Sequence, residues 1–386
     1  MSYDTVCAHE EADLLKRWAP YVKGTPSNKL SYYNEYDRAN ILFFTDSHID
    51  FHNIDACIEN VHRTADFIKT TPIPLDAVVH GGDAITPFDV HDKNDFFNRA
   101  GSFFDVMKQC DVPFLFTKGN HDINDWRNYP EHVPTDDDWG KVFLNHTEEK
   151  YGIVRQTKAS GSKSTWHYYD IEKHKIRIIA LDGQDTDKIT PNEKGMVKYF
   201  GGNSWYISNE QMNWVTHTAL NFDDKPEKDW GVIVTIHQHH ADSELHENAA
   251  DRMLKICEAF NVGGTCDITY THGENSFFDL DVHADFTRYK DLEQKPHMIC
   301  WLIGHNHTDK NEFSYGINLI WTLNASTCMV ASDARVARTP GTPTQNAFDI
   351  VNIDTKQRKI RLFRYGAGVT CYGGEKDRFL PDGLDY

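Results

Sequence analysis

The sequence predicts an α/β protein whose parallel strands are joined by helices. Short apolar runs recur at 41–45, 76–80, 112–117 and 230–236. Segments with helical apolar spacing follow the first two of these runs, and a parallel pairing needs a crossover of that length. Beyond residue 310 the pattern changes to closely spaced strands with tight turns.

Residues 1–38 read as an N-terminal peripheral arm, with a short helix over Glu10–Trp18 and a loop over Lys23–Asn34. The main domain is expected over 39–370, with an insertion at about 241–296, and 371–386 form a C-terminal tail. Ile41–Thr45 is the first strand. Asp55–Thr70 is a helix, since Ile58, Val61, Ala65 and Ile68 recur at its spacing. Asp76–His80 is the second strand, Asn94–Cys110 a helix and Val112–Thr117 the third strand. Ser164–Ile171 and Lys175–Leu181 flank a hairpin turn at 172–174. Ser208–Leu220 is a helix, Trp230–Ile236 a strand and Glu247–Phe260 a helix. Residues 261–296 read as irregular. After Met298–Ile303, the segments 312–315, 318–323, 347–353 and 359–365 read as an antiparallel run.

Fifty-eight acidic against 40 basic residues give a formal net charge of −18. That argues against general affinity for nucleic acid or an anionic membrane surface. It leaves room for an anionic substrate, because bound cations reverse the field inside a cleft. Eight cysteines form no C-x-x-C pair, and Cys110 and Cys300 sit in helical or apolar patterns. Buried thiols in a reducing compartment are expected. The first 20 residues have no apolar core like that of a signal peptide, and no apolar run reaches membrane-spanning length. The expected location is the cytoplasm.

The candidate site lies where the apolar runs end. Ile303 is followed by Gly304-His305-Asn306-His307. Alternate residues of an extended chain share a side, so His305 and His307 are expected to point together. A lone His-x-His is as readily two solvated histidines. Four further runs end the same way: at Asp46-Ser47-His48, Gly82-Asp83, Gly119-Asn120-His121-Asp122 and His237. In open α/β sheets ligands bind at the carboxyl ends of strands, where distant loops converge. Asp46, His48, Asp83, Asn120, His237, His305 and His307 form a mixed nitrogen and oxygen donor set suited to Mn, Fe, Zn, Co or Ni. An all-oxygen Mg or Ca site has no use for so many imidazoles. Seven donors exceed the need of one ion; two ions about 3.5–4 Å apart, sharing a carboxylate, account for them.

These blocks, in this order across about 260 residues, resemble the calcineurin-like metallophosphoesterases. The tract Phe348–Gly368 is similar to the tail of bacterial and phage members. The resemblance implies a four-layer α/β/β/α sandwich with mixed sheets. It implies one metal held by Asp46, His48, Asp83 and His307, and another by Asp83, Asn120, His237 and His305, with Asp83 bridging. His121 is implied as a catalytic proton donor or electrostatic stabiliser rather than a ligand. The implied activity is hydrolysis of a phosphate ester by a hydroxide that bridges the metals, with two divalent transition-metal ions (Mn, Fe or Zn) as cofactors. The block Gly82-Asp83-Ala84-Ile85-Thr86-Pro87-Phe88 lacks the second aspartate and the arginine of the protein-phosphatase branch.

Blander readings apply to the neighbours. His52, His239, His240, Asp122, Asn124 and Arg127 serve equally as ordinary loop residues. His80 reads as a core histidine, and Trp301 as core rather than a stacking surface. Asp136-Asp137-Asp138 reads as a solvated acidic turn. Asp182 and Gln184 follow a strand and are within reach of the cleft. The sequence thus supports a dinuclear-metal phosphodiesterase ahead of a phosphomonoesterase, since no arginine adjoins the motifs to grip a dianion. A nuclease is the first alternative, weakened by the absence of a basic stripe. A non-catalytic binding or structural protein that keeps the metal core is the second. The expected partner is a phosphate-ester substrate; nucleic acid and membrane are not expected partners. The substrate itself and the oligomeric state are not legible.

Overall fold

Strands buried on both faces carry unbroken apolar runs, and here they build two sheets stacked against one another. The computed structural model describes residues 2–22, 38–49, 54–86, 92–239, 249–326, 338–368 and 383–386. In chain order the first elements are α1 (Tyr3–Val22), β1 (Arg38–Phe44), α2 (Ile54–Thr70), β2 (Ala77–His80), α3 (Lys93–Met107) and β3 (Phe114–Phe116). Two short helices follow, α4 (Asp136–Trp139) and α5 (Asn145–Tyr151), and then β4 (Val154–Thr157), β5 (Lys163–Ile171) and β6 (Ile176–Ala180). Next come α6 (Asn209–Trp214), β7 (Gly231–Ile236), α7 (Ala249–Val262), β8 (Thr265–Tyr270), β9 (Leu280–Asp285) and β10 (His297–Ile303). The last are β11 (Lys310–Ser314), β12 (Ile317–Trp321), β13 (Ala347–Asp354), β14 (Lys359–Gly366) and β15 (Leu384–Asp385).

One sheet runs β15-β14-β13-β1-β2-β3 and the other β11-β12-β10-β7-β6-β5-β4. β1, β2 and β3 are parallel, as are β6, β7, β10 and β12. Both sheets are therefore mixed. Between them Ile41, Phe43, Val79 and Leu115 meet Ile178, Ile233, Leu302 and Ile320. The outer face of the first sheet packs Leu42, Phe44 and Val78 beneath Leu14, Trp18, Val61 and Phe103 of the helices α1 to α3. The outer face of the second packs Val232, Val234 and Trp301 beneath Met212, Trp214, Met253 and Phe260 of α6 and α7. The α/β/β/α sandwich with mixed sheets is thus the observed architecture.

Three readings need correction. The segment 261–296 is not irregular, because β8 and β9 pair as an antiparallel ribbon. Along β9 Leu280, Val282 and Ala284 are buried while Asp281, His283 and Asp285 are exposed, and these polar partners hide the strand in the sequence. The C-terminal strands are not one antiparallel run. β11 and β12 belong to one sheet and β13 and β14 to the other, and β12 lies parallel to β10. The first helix begins at Tyr3 rather than Glu10. Asp4, Glu10 and Glu11 interrupt its apolar residues in the first half; in the second, Trp18 is buried and its indole N–H donates to Asn40 Oδ1 at 3.1 Å.

Candidate metal centre

Backbone geometry first singles out the site. A non-glycine residue with positive φ is strained, and such residues gather at functional sites. Of the ten in the described chain, five are Asp46, His48, Asp83, His305 and His307, with φ between 42° and 70°. The two histidines after β10 stand in left-handed rather than extended backbone, and they join different donor groups: His307 with Asp46 and His48, and His305 with Asp83 and His237.

Main-chain bonds stitch the strand ends together. Asp46 N–H donates to Gly82 O (2.8 Å), His48 N–H to Asp83 O (3.1 Å) and Gly304 N–H to His237 O (3.2 Å). Close approach requires glycine at two places. A Cβ on Gly119 would lie 2.0 Å from Asp83 Oδ1, and one on Gly82, with φ +96°, would lie 2.6 Å from His237 Nδ1. Asp122 is not an ordinary loop residue. Its buried carboxylate accepts N–H bonds from Asp83 (2.6 Å), Gly119 (2.8 Å) and Ala84 (2.9 Å), so it clamps the second strand end to the third.

The donor atoms converge in overlapping groups. Asp46, His48 and His307 form one, Asp83, His237 and His305 another, and His48, Asp83 and His121 a third; within each, the ligand atoms lie within 4.8 Å of one another. His48 Nε2 and His307 Nε2 are 3.0 Å apart, and His307 Nε2 is 3.1 Å from Asp46 Oδ1. His237 Nδ1 is 2.7 Å from Gly81 O, to which it donates, so Nε2 carries the lone pair when the ring is neutral. That Nε2 is 3.0 Å from Asp83 Oδ2, lone pair against carboxylate. Such an arrangement is repulsive unless a cation or proton sits between. Asn120 Oδ1 is also buried with no hydrogen-bond partner among the described residues. The residues present therefore fit metal ions.

Electrostatics agree. Burial pushes the Asp46 and Asp83 carboxyls up, but the surrounding imidazoles, His237 foremost, outweigh it and hold both well below the usual range. Burial pulls His237 down, yet Asp83 and Asp46 overcome this and raise it to about 9. Without metal, a proton on His237 thus takes the place of a cation. His121 behaves oppositely: burial lowers it to about 4 against the pull of Asp83. Its ring stands beside that of His48, with centroids 5.0 Å apart, and its Nε2 is 3.9 Å from Asp83 Oδ2.

The remaining candidates sort clearly. His80 is core: it lies 3.0 Å from Ser47 Oγ and stacks on Phe116. Trp301 is fully buried, and His239 packs against Trp301 and Trp321. Asp182 is buried in an ion pair with Lys118, and Gln184 donates to Gln238 Oε1. The triple-aspartate stretch is the capped first turn of α4, and its Asp136 pairs with Lys158 at 2.7 Å. His52 and His240 lie outside the described residues. Two supporting residues went unread. Thr45 Oγ1 donates to Asp46 Oδ2 (2.6 Å), and Thr86 Oγ1 is 2.7 Å from His48 Nδ1. Each sits one to three residues from a motif aspartate, which was the available signal.

No helix among the described residues is long and apolar enough to cross a membrane. No protein-family model matches the chain, and no curated protein does. Among solved structures it is similar to GAP50, described as the anchor in the inner membrane complex of Plasmodium, at 12% identity and TM-score 0.43 over 88% of this chain and 86% of that one. It is similar to a phosphopantetheinyl hydrolase of Mycobacterium tuberculosis at 11% identity and TM-score 0.36, over 75% and 90%. It is also similar to TT1561 of Thermus thermophilus at 11% identity and TM-score 0.36, over 84% and 97%.

Proposed function

We propose that the chain is a metal-dependent hydrolase of phosphate esters working with two divalent transition-metal ions. The observation that carries this is the overlap of the donor groups, with Asp83 common to two of them. Asp46, His48, Asp83 and His307 would hold one ion, and Asp83, Asn120, His237 and His305 the other, with Asp83 common to both sets. Bound there, the ions supply Lewis acidity that polarises a phosphoryl oxygen and makes water acidic enough to attack phosphorus in line.

The chain's own residues do the rest. Thr45 and Thr86 fix the first donors, and Gly81 O fixes the His237 ring so that Nε2 faces inward. His121, half-buried at the edge of the donor set and held neutral by burial, is placed to stabilise charge on the leaving oxygen through its ring N–H and, once protonated, to give that oxygen a proton. Among the described residues, Asp46 and Asp83 form ion pairs with histidines alone. No arginine stands within two residues of any donor to grip a second phosphate charge, which favours a phosphodiester over a monoester.

The test is hydrolysis of bis-p-nitrophenyl phosphate against p-nitrophenyl phosphate with Mn, Fe or Zn, alongside metal content. The reading expects two ions per chain and faster turnover of the diester. Asp83→Asn should lose at least one ion and nearly all turnover. Full activity in that variant would overturn the assignment.

A further inference from the structure

A cavity of about 580 Å³ adjoins the donor loops, within the usual range for an organic ligand and far more than a phosphate fills. Its lining includes Lys118 and Ile123, which flank the Gly119–Asp122 loop on either side. It also includes Gln184, whose amide is bonded to Gln238, the residue after His237. No donor side chain lines the cavity itself; Lys118, Ile123 and Gln184 tie it to the loops that carry Asn120 and His237.

Three lysines line it, and each is already neutralised. Lys118 Nζ is 2.5 Å from Asp182, Lys158 Nζ is 2.7 Å from Asp136, and Lys188 Nζ is 2.8 Å from Asp125. Asp185 and Asp187 add two more carboxylates to the wall. At the wall three carboxylates, Asp136, Asp185 and Asp187, face three ammonium groups, and Asp182 and Asp125 lie behind two of the lysines, so no cation is left unpaired for an incoming anion. The rim is different in kind. Phe277 and Ile189 are 40% and 82% exposed, and Val133 and Pro134 stand with them. Phe277 is held edge-on against the buried Phe278, with centroids 5.3 Å apart. Its segment is tied down where Asn275 Nδ2 donates to Asp187 Oδ2 at 2.7 Å. An exposed aromatic ring on an anchored turn is a platform for a flat partner.

We infer that this cavity is the leaving-group subsite and that it selects an uncharged or cationic alcohol bearing a flat ring, stacked on Phe277. This rests on the phosphoesterase reading for its role in turnover, but not for binding. A leaving group carrying further phosphates, such as a nucleic-acid strand, is rejected by the carboxylates.

The experiment has a binding arm and a kinetic arm. Methylumbelliferone, a flat neutral alcohol, is titrated against the full-length protein by fluorescence, and so is its carboxylated hydroxycoumarin analogue. The neutral alcohol should bind, the carboxylate at least tenfold more weakly, and Phe277→Ala should weaken the neutral alcohol about fivefold. Ile189→Lys, an exposed rim change, should recover part of the carboxylate's affinity. In the kinetic arm, the ratio of kcat/KM for bis-methylumbelliferyl phosphate to that for bis-p-nitrophenyl phosphate should fall about fivefold in Phe277→Ala. Equal binding of the two alcohols, or no effect of Phe277→Ala on binding, would overturn the subsite. No turnover of any ester by a protein that still binds the alcohol would instead remove the catalytic reading.

Discussion

Arg364 grips Asp309 through two parallel hydrogen bonds, Nη1 to Oδ2 at 3.0 Å and Nη2 to Oδ1 at 2.6 Å, with both side chains buried. The same guanidinium holds Asp349 at 2.8 and 2.9 Å. Asp309 stands two residues after His307, so this pair moors the last donor loop to β13 and β14. Removing one partner of a buried pair strands the other charge, at a cost of about 3–5 kcal/mol. Arg364→Met should therefore lower the unfolding free energy in urea by about that amount, and unchanged stability would show that the loop has another anchor.

Asp122 should matter to turnover without touching substrate. Three backbone N–H groups converge on its carboxylate. Asn keeps one acceptor oxygen and turns an NH₂ against the remaining donors. Burial and the neighbouring Asp83 push this carboxyl up to about 8 against the pull of the N–H donors. A buried hydrogen-bonding group left unsatisfied costs about 1–3 kcal/mol, so Asp122→Asn should lose about that much stability and at least tenfold in kcat. Thermal unfolding and diester kinetics measure both.

Gly119→Ala is the smallest change aimed at Asp83. The added methyl would lie 2.0 Å from Asp83 Oδ1, which cannot stay in place. Metal content measured by plasma emission should fall by at least one ion per chain. Two retained ions would mean that Asp83 does not bridge.

His121→Ala separates binding from chemistry. Both ions should remain, and turnover should fall about 10²–10⁴-fold, the usual share of a proton donor. The loss should shrink for p-nitrophenolate, a leaving group that needs no proton, relative to an alkyl leaving group.

Acid should destabilise the fold through buried neutral histidines. His167 is lowered to about 4, chiefly by burial, with Arg155 adding to it; its Nε2 has no hydrogen-bond partner among the described residues. Because the unfolded ring titrates near 6.5, the unfolded chain takes up the proton first. Stability is complete above that value and falls as pH drops toward 4. With metals chelated, His167→Gln should make the slope of unfolding free energy against pH shallower across this window by up to about 1.4 kcal/mol per unit. An unchanged slope would place the proton elsewhere.

Much of this was legible because the motif residues sit at strand ends, where an apolar run stops abruptly at Asp46, Asp83, His237 or His305. Chain order and the end of each run locate the donors without any knowledge of side-chain angles. Short, strongly polar pieces were missed. β9 alternates over only six residues, with Asp281, His283 and Asp285 between its apolar ones, and α4 is mostly aspartate. Asp122 looked ambiguous because its value lies in backbone donors supplied by the loop after β2 as well as by its own, which no local pattern announces. The cavity beside Phe277 was equally invisible, since its walls come from five separated segments.

The donor set straddles both sheets: Asp46, Asp83 and Asn120 follow strands of one, and His237, His305 and His307 follow strands of the other. Ions lodged there would rivet the two halves of the sandwich at one end, while further down they are joined by apolar packing and a few polar ties such as Lys173–Asp76 and Asn318–Asp385. A chelator should accordingly do more than abolish the proposed hydrolysis. It should let the leaflets breathe, with amide exchange quickening first in β2 and β10 near the seam and last in the far hairpins.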